Sequence, residues 1–191
     1  SRVVAPHLHL PLQSGSDAVL RRMRRGMTAA RFRALLSRAA RANPRIHLAT
    51  DVLAGFPGET DGEFAETEAL LADLPLASLH VFPFSPRSGT AAALLEAGAG
   101  VPRAVVARRA RALRALDARL RRRYADLHDG READVVALRG GIGLTETYVE
   151  VALPPGGPPP GTRFSSRLAL RPDGTLEALP AGPAPDRLRG F

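Results

Sequence analysis

The chain has 191 residues, 45% of them hydrophobic, with 27 basic against 19 acidic side chains for a formal charge of +8. No apolar run approaches the ~20 residues that span a bilayer and no basic-plus-apolar leader opens the sequence, so a cytoplasmic protein of one ordinary domain plus a small second one is expected. Cysteine is absent, which excludes disulfides, thiol nucleophiles and thiolate-bound clusters within these residues.

Every basic residue is arginine. The positive balance favours polyanionic partners. A GC-rich coding bias would inflate Ala, Arg, Gly and Pro together, so only the placement of the charge argues for nucleic acid.

Residues 3–13 alternate, with Leu8, Leu10 and Leu12 on one face and His7, His9, Pro11 and Gln13 on the other. This spacing predicts a strand whose leucines meet outer helices while the histidine face looks to an interior or a site. His7 and His9 share a side and could share a metal, but no third ligand stands nearby in sequence. A hydrogen-bonded interior role is therefore expected, and no metal site is assigned.

Ser16 or Asp17 caps a short helix carrying Leu20 and Met23, and Arg21, Arg22, Arg24 and Arg25 crowd its end. Those arginines suit either a solvated face near a helix C-terminus or phosphate contact. Thr28 caps a second helix with Phe32, Leu35, Leu36 and Ala39 at helical spacing, stopped at Asn43-Pro44. Residues 46–54 read as a strand, Gly55-Phe56-Pro57-Gly58 as its exit turn, and Thr60 with Glu63 as the capping box of a helix over 61–73. Such a turn serves ligand contact or ordinary loop chemistry equally well.

A third strand over 79–84 leaves into Ser85-Pro86-Arg87-Ser88-Gly89-Thr90. Three polar, glycine-bearing loops in succession at strand ends point to a shared site, where parallel α/β sheets place their chemistry. A long helix then runs from Pro102 or Arg103 to about Leu127. Its stripe is Val106, Ala110, Leu113, Leu116, Leu120, Tyr124 and Leu127, and its other face is rich in arginine, including Arg119, Arg121, Arg122 and Arg123. Acidic neighbours are few, so pairing at i,i+4 is not expected to neutralise that face, and RNA or DNA contact competes with simple solvation.

Beyond Asp129-Gly130 the pattern changes. Short strand candidates at 135–138, 148–153, 164–170 and 176–179 lie between Gly/Pro/Asp turns, which fits a small all-β barrel of the kind that binds nucleic acid.

Four segments, in this order, resemble one family: His9-Leu10-Pro11-Leu12-Gln13-Ser14-Gly15-Ser16-Asp17, Leu20-x-x-Met23-x-Arg25, Thr50 through Thr60, and Phe82-Pro83-Phe84-Ser85-Pro86-Arg87-Ser88-Gly89-Thr90-Ala91-Ala92. They are similar to the radical S-adenosylmethionine methylthiotransferases. His80-Val81-Phe82-Pro83 is most similar to the branch acting on threonylcarbamoyladenosine at tRNA position 37, with the isopentenyladenosine branch next. The resemblance covers about residues 5–127 and, more weakly, the β region, where Gly143-Leu144-Thr145-Glu146-Thr147-Tyr148 looks like the glycine-threonine-tyrosine motif of an RNA-binding TRAM domain. The acidic residue expected after that domain's first strand is replaced by Leu138-Arg139.

The resemblance implies a partial (β/α) barrel, the later half of a radical SAM core, over residues 1–128, a TRAM-like all-β barrel over 129–180, and a tail over 181–191. It implies S-adenosylmethionine as cofactor, tRNA as partner, and [4Fe–4S] clusters held by cysteines that this chain lacks. Since the chain opens at Ser1, those cysteines are expected upstream, and these residues alone are expected to be inactive. Gln13, Ser14, Val52, Ala54, Gly55, Ser85 and Arg87 are the implied cofactor-side contacts, and Arg119, Arg121, Arg122, Arg123 and Tyr148 the RNA-side ones. In that family the cluster reduces S-adenosylmethionine to a 5′-deoxyadenosyl radical, and protein groups position and shield it. The competing class is a non-catalytic RNA-binding module that keeps part of the barrel as scaffold.

Overall fold

The computed structural model describes residues 5–179, so the expected tail over 181–191 and the first residues of the 3–13 strand lie outside the described residues. Two units are present, one formed by residues 7–121 and the other built from Arg122 onward. Among the described residues no helix is long and apolar enough to cross a membrane.

The first unit is a three-stranded parallel sheet in the order β1-β2-β3, from β1 (His7–His9), β2 (His47–Ala54) and β3 (Ser78–Pro83). Between them run α1 (Asp17–Arg22), α2 (Ala29–Ala42) and α3 (Asp61–Asp73), and after β3 come α4 (Ala91–Ala99) and α5 (Arg103–Asp126). The register pairs His9 with Ala49 and Asp51 with His80. Side chains alternate along each strand, so Leu48, Thr50, Val52 and Ala54 share the face that packs on the helices. There Leu48, Val52 and Ala54 join Leu12, Phe32, Leu36, Leu71, Leu113 and Leu116 in one core. Truncating a leucine of that set to alanine costs about 2–5 kcal/mol, because the space left does not refill.

Local sequence explains the helix starts. The Thr60 hydroxyl accepts the Glu63 N–H while the Glu63 carboxylate accepts that of Thr60, the reciprocal box expected from the sequence. Thr28 likewise caps α2 by accepting from Arg31. Ser16 stands at the N-cap of α1 without a side-chain cap bond. Asp17 is spent elsewhere, accepting the Ala29 N–H at 2.8 Å and so joining α1 to the start of α2.

One expectation needs correction, and two features add to the sequence reading. The first strand is short, His7–His9, and regains the ladder only at a single bridge between Gln13 and Val52. The Thr50 hydroxyl takes the place of the ladder in between, accepting the Leu12 N–H at 3.1 Å and donating to the Leu10 carbonyl at 2.7 Å. Helix α4 goes unpredicted because it buries no residue and so carries no apolar stripe, although Thr90 caps it. The arginine face of α5 is also partly paired: Arg121 Nε lies 2.8 Å from Asp117 Oδ2, and Arg122 Nε lies 3.2 Å from Asp126 Oδ1, both at i,i+4.

The second unit is a closed barrel of β4 (Glu132–Ala137), β5 (Ile142–Thr145), β6 (Glu150–Ala152), β8 (Leu176–Ala178) and β7 (Arg163–Leu170), in that order around the wall. Strand β5 was not legible as a strand: it is four residues with a glycine, Gly143, where an added Cβ would stand 2.4 Å from Val135. Val135, Val151, Leu168 and Leu176 fill the interior. The glycine-threonine-tyrosine segment has a structural use. The hydroxyls of Thr145 and Thr147 lie 3.0 Å apart, and His128 bridges Thr147 Oγ1 to the Tyr124 carbonyl at 3.0 Å on each side.

Candidate functional site

The C-terminal ends of β1, β2 and β3 lie side by side, as a parallel sheet requires, and the three loops read from the sequence leave from them. At the first, Gln13 has φ +82, an uncommon backbone for a residue with a Cβ. It costs of order 1–3 kcal/mol and is held by its neighbours, since Gln13 N–H donates to the Asp51 carbonyl at 2.9 Å and Leu53 N–H to the Gln13 carbonyl at 2.8 Å. Such strain collects where a chain must present a residue in a fixed direction.

The same turn drives Ser14 away from the strand ends. Ser14 is fully buried, its hydroxyl 3.1 Å from Thr67 Oγ1, and Gly15 N–H donates to that Thr67 oxygen at 3.0 Å. A Cβ at residue 15 would stand 2.7 Å from the Thr67 backbone, so glycine is required for this close approach to α3.

At the second loop Gly55 has φ +81 and donates its N–H to Glu59 Oε2 at 2.8 Å. Burial pushes the Glu59 carboxyl up, while the Gly55 N–H and the Arg109 guanidinium work the other way. Arg109, on α5, bonds Glu59 Oε2 at 2.9 Å and Asp61 Oδ1 at 2.9 Å, and lies 5.3 Å over the Phe64 ring. The Arg109 bond in turn holds the Asp61 carboxyl below the usual range. At the third loop the Phe84 N–H bonds the Ala54 carbonyl at 2.8 Å, which holds the Ser85 segment against the Gly55 turn.

Two clefts flank these loops. One of about 310 Å³ is lined by Gln13, Leu53, Phe56, Arg22, Arg24 and Leu95. The other, of about 460 Å³, is lined by Gly55, Phe84, Ser85, Arg103, Arg111 and Arg114 among others. The sequence candidates are thus divided. Gln13 faces the first cleft, and Gly55 and Ser85 face the second. Arg87 is exposed and lines neither. Val52 and Ala54 point into the core, leaving only their backbone near the strand ends. Leu53, between them, turns to the opposite face and into the cleft; strict alternation along β2 would have singled it out. The histidine face also has partners that sequence order hides, since His9 meets Asp51 and His80.

On the basic helix Arg119, Arg121, Arg122 and Arg123 are all exposed. Helix α5 holds nine arginines and two aspartates, so the two i,i+4 pairs leave a strongly positive rod. Tyr148 stands half-exposed at φ +60 in the β5–β6 turn, its N–H on the Thr145 carbonyl at 3.0 Å.

Residues 2–71 match the model of the Radical SAM superfamily. Over 153 residues the chain is 41% identical to the threonylcarbamoyladenosine tRNA methylthiotransferase MtaB of Treponema pallidum, covering 78% of this chain and 31% of that protein. It is 41% identical over 137 residues to the tRNA-2-methylthio-N(6)-dimethylallyladenosine synthase of Thermobifida fusca, covering 72% and 27%. The Bacillus subtilis MtaB is 36% identical over 157 residues, covering 78% and 34%. The chain is thus similar to the Radical SAM superfamily over its first part and to tRNA methylthiotransferases over most of its length. It spans about a third of the length of the curated relatives it matches. With no cysteine in the sequence, the chain offers no thiolate to an iron–sulfur cluster.

Proposed function

We propose that this chain forms the later wall of a radical SAM barrel, together with a TRAM-like barrel, in an enzyme that adds a methylthio group to C2 of N6-threonylcarbamoyladenosine at position 37 of tRNA. The observation that carries this reading is the strained Gln13 beside Leu53 and the Gly55 turn, at the adjoining ends of three parallel strands, in a chain 41% identical over 153 residues to the Treponema pallidum methylthiotransferase. The carboxyl ends of parallel strands are where α/β folds place their ligands.

S-adenosylmethionine, when bound, supplies the radical chemistry and the methyl group. The chain's own residues orient it. Leu53 and Phe56 offer an apolar surface suited to a purine, the Gln13 side chain a polar contact beside it, and Gly55 and Ser85 a place where the backbone comes close to a ligand. The buried Arg109–Glu59 pair keeps the Gly55 turn in place, so those contacts are preset. The arginine face of α5 and Tyr148 serve the tRNA, by phosphate attraction and base stacking. No step is assigned to an iron–sulfur cluster, which these residues do not fit.

A second reading, transfer to the dimethylallyl-modified adenosine, is favoured by the Thermobifida fusca relative, whose identity equals that of the Treponema pallidum one. His80-Val81-Phe82-Pro83 inclines the choice to threonylcarbamoyladenosine. The test is expression of the whole gene in a host lacking both activities, followed by nucleoside mass spectrometry of its tRNA. The methylthio derivative of threonylcarbamoyladenosine supports the first reading and that of the dimethylallyl nucleoside the second. Neither product would sink both. The 191-residue chain by itself is expected to yield no product.

A further inference from the structure

The face of the sheet turned away from the helices carries a run of polar side chains. The register puts His7 beside His47 and Asp51 beside His80, and period two adds His9 to the same side. Barrel interiors are ordinarily filled by bulky branched apolar side chains, so a wall of imidazoles and a carboxylate needs another explanation. Asp51 Oδ1 lies 2.9 Å from His9 Nε2 and 3.4 Å from His80 Nδ1, and the two rings face each other with centroids 4.8 Å apart. One donor atom from each residue falls within 4.8 Å of the others.

We propose that His9, Asp51 and His80 bind a divalent first-row transition-metal ion, through His9 Nε2, His80 Nδ1 and an Asp51 oxygen. The donor set is two imidazoles and one carboxylate, the combination found in three-ligand zinc centres and in ferrous facial triads that keep positions open for water or a small ligand. Zinc–ligand bonds of about 2.0–2.1 Å in a tetrahedron set neighbouring donors about 3.3 Å apart. The two separations from Asp51, 2.9 and 3.4 Å, bracket that value, and all three donors lie within 4.8 Å of one another.

Each ligand comes from a different strand, and the ladder between the strands fixes where each Cβ stands, so little ordering remains for the ion to impose. Among the described residues the ion-pair partners of Asp51 are these two imidazoles alone, and no arginine competes for its carboxylate. The site lies on the same face as Leu53, two residues and about 7 Å back along β2 at ~3.3 Å per residue.

Zinc titration of the tag-free 191-residue chain, read by competition with a chromophoric chelator, tests the assignment. One equivalent should bind at or below the order of 10 µM. His9→Ala, Asp51→Asn and His80→Ala should each weaken binding by at least about tenfold, whereas His7→Ala should not. Circular dichroism checks that the variants fold, and ferrous iron and cobalt titrated in parallel identify the preferred ion. Imidazole nitrogen resonances of the unmutated chain give an independent reading, with zinc shifting those of His9 and His80. Absence of saturable binding by any of the three ions, equal affinity in the variants, or shifts confined to other histidines would overturn the proposal.

Discussion

Arg109 and Glu59 form an ion pair 2.9 Å long with both side chains almost wholly removed from solvent, and the carboxylate oxygen that Arg109 holds also accepts the Gly55 N–H. Helix α5 and the turn after β2 are therefore locked through one atom. The other oxygen, Glu59 Oε1, and Arg109 Nε are buried without a partner among the described residues. Such a pair adds little over an apolar replacement, but losing half of it strands a charge.

Arg109→Met should lower the unfolding free energy by about 3–5 kcal/mol in urea titrations. Adding Glu59→Gln should recover part of that loss, because the neutral amide still accepts from Gly55 while no buried charge is left. A double variant as unstable as the sum of the single ones would show that the two residues do not act as a pair.

Gly55 is constrained twice, by φ +81 and by Val106, whose Cγ2 would lie 2.4 Å from an added Cβ. Gly55→Ala should cost about 1–3 kcal/mol, and Val106→Ala in the same chain should return the steric part only. The left-handed backbone retains its own penalty of about 1–2 kcal/mol. Thermal melts of Gly55→Ala and of the double variant separate the two contributions.

The Arg22 guanidinium grips Glu63 at both oxygens, 2.8 and 2.7 Å, and the Thr60 N–H adds a third bond. The Arg22 hydrogen bond is the main reason that the Glu63 carboxyl is pulled down from 4.5 to about 2. A depressed acid stabilises the fold above its unfolded value and gives that stability up as pH falls through its folded one. The contribution of Glu63 should be whole at pH 5 and disappear between about pH 4.5 and pH 2. Glu63→Gln should flatten the stability-against-pH curve in that window relative to the unmutated chain, as measured by urea midpoints. Identical slopes would remove Glu63 as the source.

Much of this architecture is written in short-range sequence. The capping box of Thr60 and Glu63, the cap at Thr28 and the stripe of α5 need only neighbours within a turn or two, and each is found where the pattern puts it. The site is less legible because its contacts join distant segments. Ser14 looks like a loop hydroxyl open to a ligand until Thr67, fifty-three residues on, is placed against it. Val52 and Leu53 are apolar neighbours that alternation puts on opposite faces, and the packing of Val52 among the helices decides that Leu53 is the one that faces the cleft. His80 stands far from His9 in sequence, and two parallel pairings bring them together through β2.

The arginines of α5 should contribute unequally to tRNA binding. Arg119 has no side-chain partner among the described residues, whereas Arg121 shares Asp117, whose other oxygen is already fixed by the Leu79 N–H at 2.6 Å. Arg122 shares Asp126 in the same way. A phosphate must compete with those carboxylates for Arg121 and Arg122 but not for Arg119. Arg119→Gln should therefore lower tRNA affinity most and reduce the log–log salt slope by about 0.7–0.9, the share of one released counterion. Arg121→Gln and Arg122→Gln should each change the slope by less. Converting Arg119, Arg121, Arg122 and Arg123 to Glu together should abolish salt-sensitive binding in filter assays. Affinity unchanged by that fourfold reversal would take the helix out of the RNA interface.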